Sequence, residues 1–405
     1  MSYSFRMNEG SNTQLDSIAA DILILGAGPA GLAVGGCLAR AGLQPILVEK
    51  ANVVGSSWRG HYRRLHLHTV KQHSALPYRA FPAPYPRYVS RQQMVDYLDD
   101  YARRFGLNPL FGEEAVSLTR AGDQWQTICR SGKTFITRAV VIATGAGRLA
   151  HEPEWPGQGD YLGRLVHSRT YQDATPFVGQ RVLIVGMGNT GAEIALDLAE
   201  NGAQPTISVR SPVNLVRRDV LGRPTQVTAI MLSRLPSRFA DAVARIFRDL
   251  TVGDLRRYGL RTSKTSPLRQ LREEGRTPVI DVGTLALIKA GKIAVKPGVQ
   301  TFTAQGARFA DSSQEDYDAV ILATGYRPGV SALFPTTKVP LGLKEMPASV
   351  IGDGELHGVY FVGFDVTQAG GMLRGISMQA REVAAAIVER LKAQHAPRPA
   401  RPDAT

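Results

Sequence analysis

Two glycine triplets in this 405-residue chain have the spacing that binds the pyrophosphate of a dinucleotide. The first lies in GAGPAG (residues 26–31) and the second in GMGNTG (residues 186–191). Glycine at these positions permits a tight turn and lets phosphate oxygens approach the free N–H groups of the following helix. The sequence therefore predicts two nucleotide cofactors, with electrons passing between them.

A charged residue ends the second strand after each triplet, and its sign indicates which nucleotide binds. Glu49 can accept a hydrogen bond from a ribose 2′-hydroxyl and would repel a 2′-phosphate, so the first site favours FAD or NAD. Arg210 stands at the equivalent place in the second site, where a guanidinium can pair with a 2′-phosphate. Ser211 and the nearby Arg217 and Arg218 can add to that contact. We therefore expect FAD at the first site and NADPH, rather than NADH, at the second.

The elements that position these residues follow the order strand, glycine turn, helix, strand, which opens a doubly wound α/β unit. This order occurs at residues 21–49 and again at residues 181–210. Two further apolar strands end in Ala-Thr-Gly, within residues 139–147 and 319–328, and are interpreted as points where the chain passes between domains. The predicted fold class is α/β, with two doubly wound dinucleotide-binding (Rossmann-like) domains and the NADPH domain inserted into the FAD domain.

These patterns also predict where one domain gives way to the next. We expect a flexible N-terminal tail, a discontinuous FAD-binding domain, an NADPH-binding domain that contains a helical insertion, and a disordered proline-rich C-terminal tail. The N-terminal tail is predicted at residues 1–20 and the FAD-binding domain at residues 21–165 and 325–392. The NADPH-binding domain is predicted at residues 166–324, with its insertion at about 212–275, and the C-terminal tail at residues 393–405.

One stretch of the insertion, RFADAVARIFRDL, has helical periodicity. It places Phe239, Val243, Ile246, Phe247 and Leu250 on one face, with the arginines mostly elsewhere. We expect this apolar face to pack on the domain, and a helix lying on a membrane surface is the alternative.

Composition excludes several classes of protein. Hydrophobic residues make up 43% of the chain and charged residues 20%, as in soluble globular proteins. Two cysteines in unrelated contexts, Cys37 and Cys129, exclude a disulfide framework, a Cys-x-x-Cys redox pair and a cysteine zinc site. The polar N-terminus does not resemble a signal peptide, and no apolar run reaches the roughly 18 residues of a membrane span. We expect a cytoplasmic protein without stable membrane insertion.

The net charge of +13 raises the question of a nucleic-acid partner. The arginines are scattered, however, and no basic run is interleaved with stacking aromatics, so no nucleic acid is expected. A basic surface and pocket suited to anionic cofactors, and to an anionic substrate, explain the charge better.

Four histidines, His61, His66, His68 and His73, follow the first glycine triplet. Their spacing is loose and no acid or cysteine completes a zinc ligand set, so no metal is expected. A polar loop over a bound cofactor is the better interpretation.

Two other classes of flavoprotein share a two-nucleotide architecture. A flavin disulfide reductase needs a paired redox cysteine, which Cys37 and Cys129 do not provide. A redox-sensing flavoprotein remains open at this point and would bind both nucleotides without sustained NADPH consumption.

The stretch between the two glycine triplets indicates the type of reaction. The residues Tyr161, Gly163, His167 and Tyr171 resemble the signature F-x-G-x-x-x-H-x-x-x-[FY] of class B flavin-containing monooxygenases, with Tyr161 in place of the usual Phe. The word LATGY, residues 322–326, matches a second motif of that family. Its Baeyer–Villiger branch usually ends the signature in Trp, so the tyrosine here argues against that branch.

A closer resemblance is to the YUCCA branch, the plant enzymes that convert indole-3-pyruvate to indole-3-acetate. It covers nearly the whole chain and includes the stretches at residues 62–77, 85–109, 185–211 and 275–299. The arginine-rich segment 232–250 and the turn His68-Thr69-Val70 depart from the plant pattern, which leaves the substrate open.

The resemblance implies an NADPH- and O2-dependent flavin monooxygenase that forms a C4a-hydroperoxyflavin and oxygenates a small organic substrate. The first choice of reaction is oxidative decarboxylation of an aromatic α-keto acid such as indole-3-pyruvate. N- or S-oxygenation of a soft nucleophile and Baeyer–Villiger oxidation of a ketone are the alternatives. The expected partners are the small-molecule substrate and O2, and a homodimer is left open.

The resemblance and the cradles together give the candidate site residues. His68, Lys71 and His167 are the catalytic candidates; the basic loop with His66 can hold a keto-acid carboxylate or, equally, touch the flavin or nicotinamide. The residues expected to bind FAD or NADPH are Gly26, Gly28, Pro29, Ala30, Gly31, Glu49, Lys50, Ser57, Trp58, Leu65, His66, Val116, Ala143, Thr144, Gly145, Gly186, Gly188, Asn189, Thr190, Gly191, Arg210, Ser211, Ala323, Thr324, Gly325, Tyr326 and Gln368.

Overall fold

The structure of the chain is a computed structural model that describes residues 17–395. Within that range the α-helices are α1 (Pro29–Arg40), α2 (Ser56–Arg59), α3 (Arg91–Arg104), α4 (Asn189–Glu200), α5 (Thr225–Leu232), α6 (Ser237–Val252), α7 (Pro267–Glu274), α8 (Thr284–Lys289) and α9 (Met372–His395).

The strands of the same range fall into two large sheets and several short ribbons. They are β1 (Ser17–Leu25), β2 (Ile46–Glu49), β3 (Leu110–Phe111), β4 (Ala115–Ala121), β5 (Gln124–Cys129), β6 (Thr134–Ile142), β7 (Leu149–Ala150), β8 (Arg164–His167), β9 (Arg181–Val185), β10 (Gln204–Val209), β11 (Leu215–Arg217), β12 (Asp219–Val220), β13 (Arg223–Pro224), β14 (Val279–Asp281), β15 (Ala294–Pro297), β16 (Val299–Phe302), β17 (Gly306–Phe309), β18 (Gln314–Asp316), β19 (Ala319–Leu322), β20 (Tyr326–Arg327) and β21 (Val359–Phe361).

The first domain is built on a seven-stranded sheet in the order β3-β2-β1-β6-β5-β4, with β21 also paired to β6. The strands β1, β2, β6 and β21 run parallel, while β4 and β5 are antiparallel to their neighbours. Residues 22–25 of β1 are buried, as expected for a strand covered on both faces. The helices α1, α3 and α9 pack on one face, so both halves of the discontinuous domain share one core.

The second domain is built on a five-stranded parallel sheet in the order β15-β10-β9-β19-β8. The helices α4 and α8 pack on one face, and the antiparallel meander β16-β17-β18 covers the other. The helices α5, α6 and α7 belong to the predicted insertion. Two α/β units, the second placed within the chain of the first, confirm the predicted fold class.

The chain passes between the domains through one short antiparallel ribbon, in which β7 pairs with β20. Tyr326 lies opposite Ala150, and Arg327 opposite Leu149. The hydroxyl of Thr324 donates to the carbonyl oxygen of His151 beside this ribbon. The segment that leaves the first domain and the segment that re-enters it are therefore hydrogen-bonded to each other, next to the two Ala-Thr-Gly motifs.

Three predicted boundaries need correction. The strand β1 begins at Ser17 and pairs with Thr134, so residues 17–20 belong to the sheet rather than to a flexible tail. The boundary at residue 165 falls inside β8, which pairs with β19 in the second sheet. The helix α9 continues to His395, so residues 393–395 are helical. The rest of the two predicted tails, residues 1–16 and 396–405, lies outside the described residues.

The predicted orientation of the arginine-rich helix is wrong. On α6 the apolar side chains of Phe239, Ile246 and Leu250 are 59%, 57% and 81% exposed. The buried residues are instead Ala240, Ala244, Val252 and Arg248, which is 3% exposed and donates to the side chain of Asn214. A buried guanidinium needs such partners, so its hydrogen bonds, rather than the apolar stripe, set the rotation of the helix. No helix within residues 17–395 is long and apolar enough to cross a bilayer.

Candidate active site

The first glycine turn, between β1 and α1, has room for a ligand at one position only. Gly26 has φ +108°, and a Cβ on Gly31 would lie 1.9 Å from the Gly26 carbonyl oxygen, so these two glycines close the turn itself. A Cβ on Gly28 would meet nothing within 4 Å. Gly28 is also the N-cap of α1 without a side-chain cap, which leaves helix N–H groups free for an anion. This cradle fits a pyrophosphate.

Glu49, at the end of β2, is held beside that cradle. Its carboxylate is 6% exposed and accepts hydrogen bonds from the backbone N–H groups of Ala27 at 2.8 Å and Ala51 at 3.0 Å. The Ser56 hydroxyl lies 3.3 Å away. Thr144, just past β6, has a buried hydroxyl with no hydrogen-bond partner among the described residues. A carboxylate fixed in place and an unpartnered hydroxyl both suit a bound nucleotide.

The second cradle, between β9 and α4, repeats the geometry of the first. Gly186 has φ +111°, and a Cβ on Gly191 would lie 2.1 Å from the Gly186 carbonyl oxygen. A Cβ on Gly188 would meet nothing within 4 Å. The side chain of Asn189 accepts a hydrogen bond from the N–H of Ile280 at 2.7 Å, which ties the start of α4 to β14. Both cradles are therefore turns with open space at the middle glycine.

The repeated Ala-Thr-Gly words have a common structural role. A Cβ on Gly26 would lie 2.6 Å from the carbonyl oxygen of Ala143, and one on Gly186 would lie 2.7 Å from that of Ala323. Each word follows a strand and packs against the first glycine of its own cradle. The predicted cofactor residues at 143–145 and 323–326 thus lie beside the two turns.

Arg210 follows β10 at the edge of the second cradle and is exposed. Its side chain has no hydrogen-bond or ion-pair partner among residues 17–395. The guanidinium of Arg261 donates to the Arg210 carbonyl oxygen at 2.9 Å, which brings a second cation beside the first. Ser211 is half-buried next to them. Arg261 is far away in sequence, so only the fold reveals this pair of guanidinium groups, which suits a 2′-phosphate.

The other predicted cofactor residues are spread more widely. Pro29, Ala30 and Thr190 lie in the first turns of α1 and α4. Ser57 and Trp58 are the two middle residues of α2, which follows the first cradle in the chain. Lys50 is exposed directly after Glu49, and Val116 lies half-buried on β4. Leu65 packs against the core of the second domain, so it joins the two domains.

A cavity of about 290 Å³ lies between the two domains. Its wall combines the start of α4, the segment that enters α9, the loop after the first cradle, and the helices α5, α6 and α7. The lining residues with most bearing on chemistry are His68, Asn189, Arg218, Gln226, Phe247 and Gln368. A substrate in this cavity would contact both domains and the insertion.

His68 is the cavity residue with the most perturbed acid-base chemistry. Burial, together with the positive charge of Arg218, lowers the pKa of His68 to about 4, so its imidazole is neutral at neutral pH. Its Nδ1 atom is buried without a hydrogen-bond partner in the described part of the chain, and its Nε2 lies 3.7 Å from a carboxylate oxygen of Glu193. Burial raises the pKa of Glu193 to about 7. A proton can therefore be held next to the cavity near neutral pH.

Glu193 and its partner Tyr62 were not among the predicted site residues. Both are buried, and the Tyr62 hydroxyl donates to the Glu193 carboxylate. The signal available in the sequence was an acid within the otherwise small and apolar start of α4.

Lys71 and His66 do not line the cavity, which does not favour the alternative in which they hold a substrate carboxylate there. The ammonium group of Lys71 donates to the carbonyl oxygens of Ala83 and Tyr85, and this side chain is absent from the cavity wall. His66 is exposed, with its Nδ1 2.7 Å from the carbonyl oxygen of Arg64. Of the basic residues of this loop, only His68 is among the described residues that line the cavity, next to Thr69.

His167, the third catalytic candidate, lies at the end of β8 and away from the cavity wall. Its Nδ1 accepts a hydrogen bond from the N–H of Arg169 at 3.0 Å, and its Nε2 lies 3.2 Å from the carbonyl oxygen of Gly325. The ring packs edge-on against Tyr326 at 5.2 Å between centroids. With both nitrogens bonded to backbone, His167 positions the returning interdomain segment.

The other signature residues also hold elements together. The Tyr161 hydroxyl donates to the carbonyl oxygen of Tyr317 at 2.8 Å. A Cβ on Gly163 would lie 2.3 Å from that same hydroxyl oxygen, so only glycine fits there. The Tyr171 hydroxyl donates to the Asp197 carboxylate on α4 at 2.6 Å. The signature is thus a set of contacts that fixes the second domain.

Comparisons with known proteins agree with this architecture. The profile of the family described as FMO-like, flavin-binding monooxygenase-like, matches residues 19–338. Indole-3-pyruvate monooxygenase YUCCA1 of Oryza sativa is 37% identical over 384 residues, 93% of each chain. Indole-3-pyruvate monooxygenase YUCCA6 of Arabidopsis thaliana is 36% identical, with 89% of this chain and 88% of that protein covered.

A solved structure shows the same fold. The flavin-containing monooxygenase from Stenotrophomonas maltophilia has a TM-score of 0.72 at 23% identity, with 92% of this chain and 99% of that chain covered. The predicted family, enzyme class and cofactors are thereby confirmed. The chain belongs to the flavin-binding monooxygenase-like family and is a flavin-dependent monooxygenase that uses FAD and NADPH.

Proposed function

We propose that this enzyme oxidatively decarboxylates an aromatic α-keto acid, with indole-3-pyruvate as the first choice and phenylpyruvate as the second. The observation that carries the proposal is the arginine in the cavity wall, which also contains the acidic residue Asp365. Among its described lining residues, only Arg218 is a cation at neutral pH, because the pKa of His68 is lowered to about 4. The YUCCA relatives, which are indole-3-pyruvate monooxygenases, support the same substrate class.

The guanidinium of Arg218 is available for a carboxylate. Its Nε atom lies 3.4 Å from Asp219, while its two terminal nitrogens have no acid partner among residues 17–395. A guanidinium binds a carboxylate through two parallel hydrogen bonds, which fixes orientation as well as charge. The lining side chains of Leu232, Phe247 and Met372 provide an apolar surface for an aromatic ring.

The proposed reaction balances with the two cofactors. A keto acid R–CH2–CO–COO⁻, O2, NADPH and H⁺ give R–CH2–COO⁻, CO2, NADP⁺ and water. The bond between the keto carbon and the carboxylate breaks, a bond from the keto carbon to one oxygen atom of O2 forms, and the other oxygen atom leaves as water. When bound, FAD would supply the redox chemistry that links NADPH, O2 and the substrate.

The residues of the chain bind, orient and hold protons around that chemistry. The turn at residues 26–31 and Thr144 would hold FAD, while the turn at residues 186–191 would hold NADPH, with Arg210 reading its 2′-phosphate. His68 contributes a neutral imidazole to the cavity wall. The walls from both domains exclude water from the reacting atoms.

The compartment proposed for this enzyme is the cytoplasm. Both cysteines, Cys37 and Cys129, are free and buried, and burial raises the pKa of each thiol to about 11. Unpaired thiols suit a reducing compartment. The proposed partners are small molecules, the keto acid and O2.

The test follows NADPH oxidation and products with indole-3-pyruvate, phenylpyruvate, an amine, a sulfide and a cyclic ketone. Keto acids should give one acid and one CO2 per NADPH, with one labelled oxygen atom from ¹⁸O2 in the acid. Arg218→Gln should raise KM for keto acids about 10- to 100-fold, the value of a lost charged hydrogen bond. The matched control is Arg217→Gln, because Arg217 is exposed and donates to the Thr251 carbonyl oxygen. Turnover of the amine or sulfide without the keto acids would establish heteroatom oxygenation, and an ester from the ketone would establish Baeyer–Villiger chemistry.

A further inference from the structure

One side of the insertion exposes large apolar side chains next to arginines. These residues lie on α5, on α6 and on the turn between the two helices, and together they are called the basic-apolar surface. Its apolar members are Met231, Leu235, Phe239, Ile246 and Leu250, and its basic members are Arg234, Arg238 and Arg245.

The five apolar members are exposed to water, and the three on α6 form a stripe along that helix. Each is between 43% and 81% exposed. Phe239, Ile246 and Leu250 are spaced by seven and four residues on α6, so they share one face of the helix. Folded proteins rarely leave large apolar side chains grouped in water, and such groups mark surfaces that bind something.

The arginines border this stripe and are free to bind. Arg234, Arg238 and Arg245 are exposed, and their side chains make no ion pair or hydrogen bond within the described chain. At about 100° per residue, Arg238 and Arg245 lie along a line roughly a quarter turn from Phe239 and Ile246. An apolar stripe edged by cations is the arrangement of helices that lie in the interface of a membrane.

We propose that the basic-apolar surface binds the surface of a bilayer containing anionic lipids. The apolar stripe would enter the boundary between headgroups and acyl chains, while the three arginines would contact lipid phosphates. A second copy of the chain fits less well, because a two-fold contact would place both sets of unpaired arginines in one interface. The binding is peripheral, since α6 lies along the surface rather than through the bilayer.

The location of this surface relates it to the cavity. Leu232 and the α6 residues Ala244 and Phe247 line the cavity, while Met231, on α5, and Ile246, on α6, face outward. The two helices therefore form a thin wall between the cavity and the proposed bilayer contact. This inference depends on the fold and not on the identity of the substrate.

Flotation of the FAD-loaded enzyme with lipid vesicles tests the proposal. The protein should float with vesicles of phosphatidylcholine and phosphatidylglycerol and much less with vesicles of phosphatidylcholine alone. Each basic side chain near an anionic surface gives about a fivefold gain in partition, so Arg234→Gln, Arg238→Gln and Arg245→Gln combined should weaken binding about 100-fold. The combined variant Phe239→Ser, Ile246→Ser and Leu250→Ser should abolish it.

Matched controls distinguish binding through the basic-apolar surface from nonspecific electrostatic or hydrophobic binding elsewhere on the protein. Arg103→Gln, Arg104→Gln and Arg308→Gln remove the same charge from other exposed positions, and Leu162→Ser with Val178→Ser removes other exposed apolar side chains. These controls should bind as the wild type does, and all variants should keep their flavin and their NADPH oxidation. Absence of vesicle binding, or equal losses in the controls, would overturn the proposal. A dimer seen by light scattering that the serine variant dissociates, without vesicle binding, would assign the surface to a second copy instead.

Discussion

The hydroxyl of Tyr62, in the loop after the first cradle, donates to the carboxylate of Glu193 on α4. Beside it, Arg64 of the same loop pairs with Glu200 at 2.7 Å. The loop that follows one nucleotide cradle is therefore bonded to the helix that begins at the other. Any shift of α4 when NADPH binds must act on this loop and on His68, which lines the cavity.

Glu193 should make stability depend on pH. Burial raises the pKa of Glu193 from 4.5 to about 7, so the folded state retains a proton that the unfolded chain loses at lower pH. This contribution to the free energy of unfolding is present below about pH 4.5 and is lost as the pH rises through about 7. Glu193→Gln should remove it, making the melting temperature fall less between pH 6 and pH 8.

The control for that experiment is Glu200→Gln, on the exposed side of the same helix. It should leave the pH dependence as in the wild type. An unchanged slope in Glu193→Gln would mean that this carboxyl titrates normally in the folded protein.

Gly28→Val should give a folded protein without flavin. A Cβ at Gly28 meets no atom of residues 17–395 within 4 Å, so this part of the fold accepts it, but the side chain fills the pyrophosphate site. The purified variant should be colourless with an unchanged far-ultraviolet circular dichroism spectrum. Gly31→Ala should instead destabilise the fold, since its Cβ would lie 1.9 Å from a backbone oxygen. Full flavin occupancy in Gly28→Val would refute the assignment of this cradle.

Arg210→Ala should change the preference between reduced nicotinamides. Loss of a charged hydrogen bond to the 2′-phosphate should raise KM for NADPH about 10- to 100-fold and leave KM for NADH nearly unchanged. Arg261→Ala should act in the same direction, because its guanidinium bonds the Arg210 carbonyl. The exposed Arg257 offers a control substitution to Ala. Equal losses with both nucleotides would show that Arg210 does not read the phosphate.

Tyr171→Phe should destabilise the second domain without altering the cavity. It removes the hydrogen bond to Oδ2 of the buried Asp197, and a buried polar atom left without a partner costs about 1–3 kcal/mol. Thermal unfolding should shift down by a few degrees, while KM for the keto acid stays the same. A changed KM with unchanged stability would place Tyr171 in substrate binding.

The sequence was sufficient for features that depend on short segments. The cradles, the strands that enter them and the repeated Ala-Thr-Gly words follow from local spacing, because a turn of this kind tolerates few alternatives. Arg261 could not be found in this way, since it meets Arg210 only through the packing of distant segments.

The orientation of α6 shows a second limit. Periodicity identified an apolar face correctly but did not show what covers it. The buried Arg248 and its hydrogen bond to Asn214 fix the rotation of α6 about its axis, and no sequence pattern indicates that pair. Lys71 is a similar case, because two carbonyl oxygens accept hydrogen bonds from an ammonium group that the sequence left open to either the substrate or a cofactor.

The ribbon of β7 and β20 has a consequence for how such a chain could arise. Its pairing brings the start and the end of the NADPH-binding segment together at Ala150 and Tyr326. A gene fragment encoding that segment could therefore be gained, lost or exchanged as one unit. Only a short loop would be needed to connect the two chain ends of the remaining domain. Two nucleotide-binding units with nearly the same turn geometry are what an ancestral duplication followed by insertion at a surface loop would leave behind.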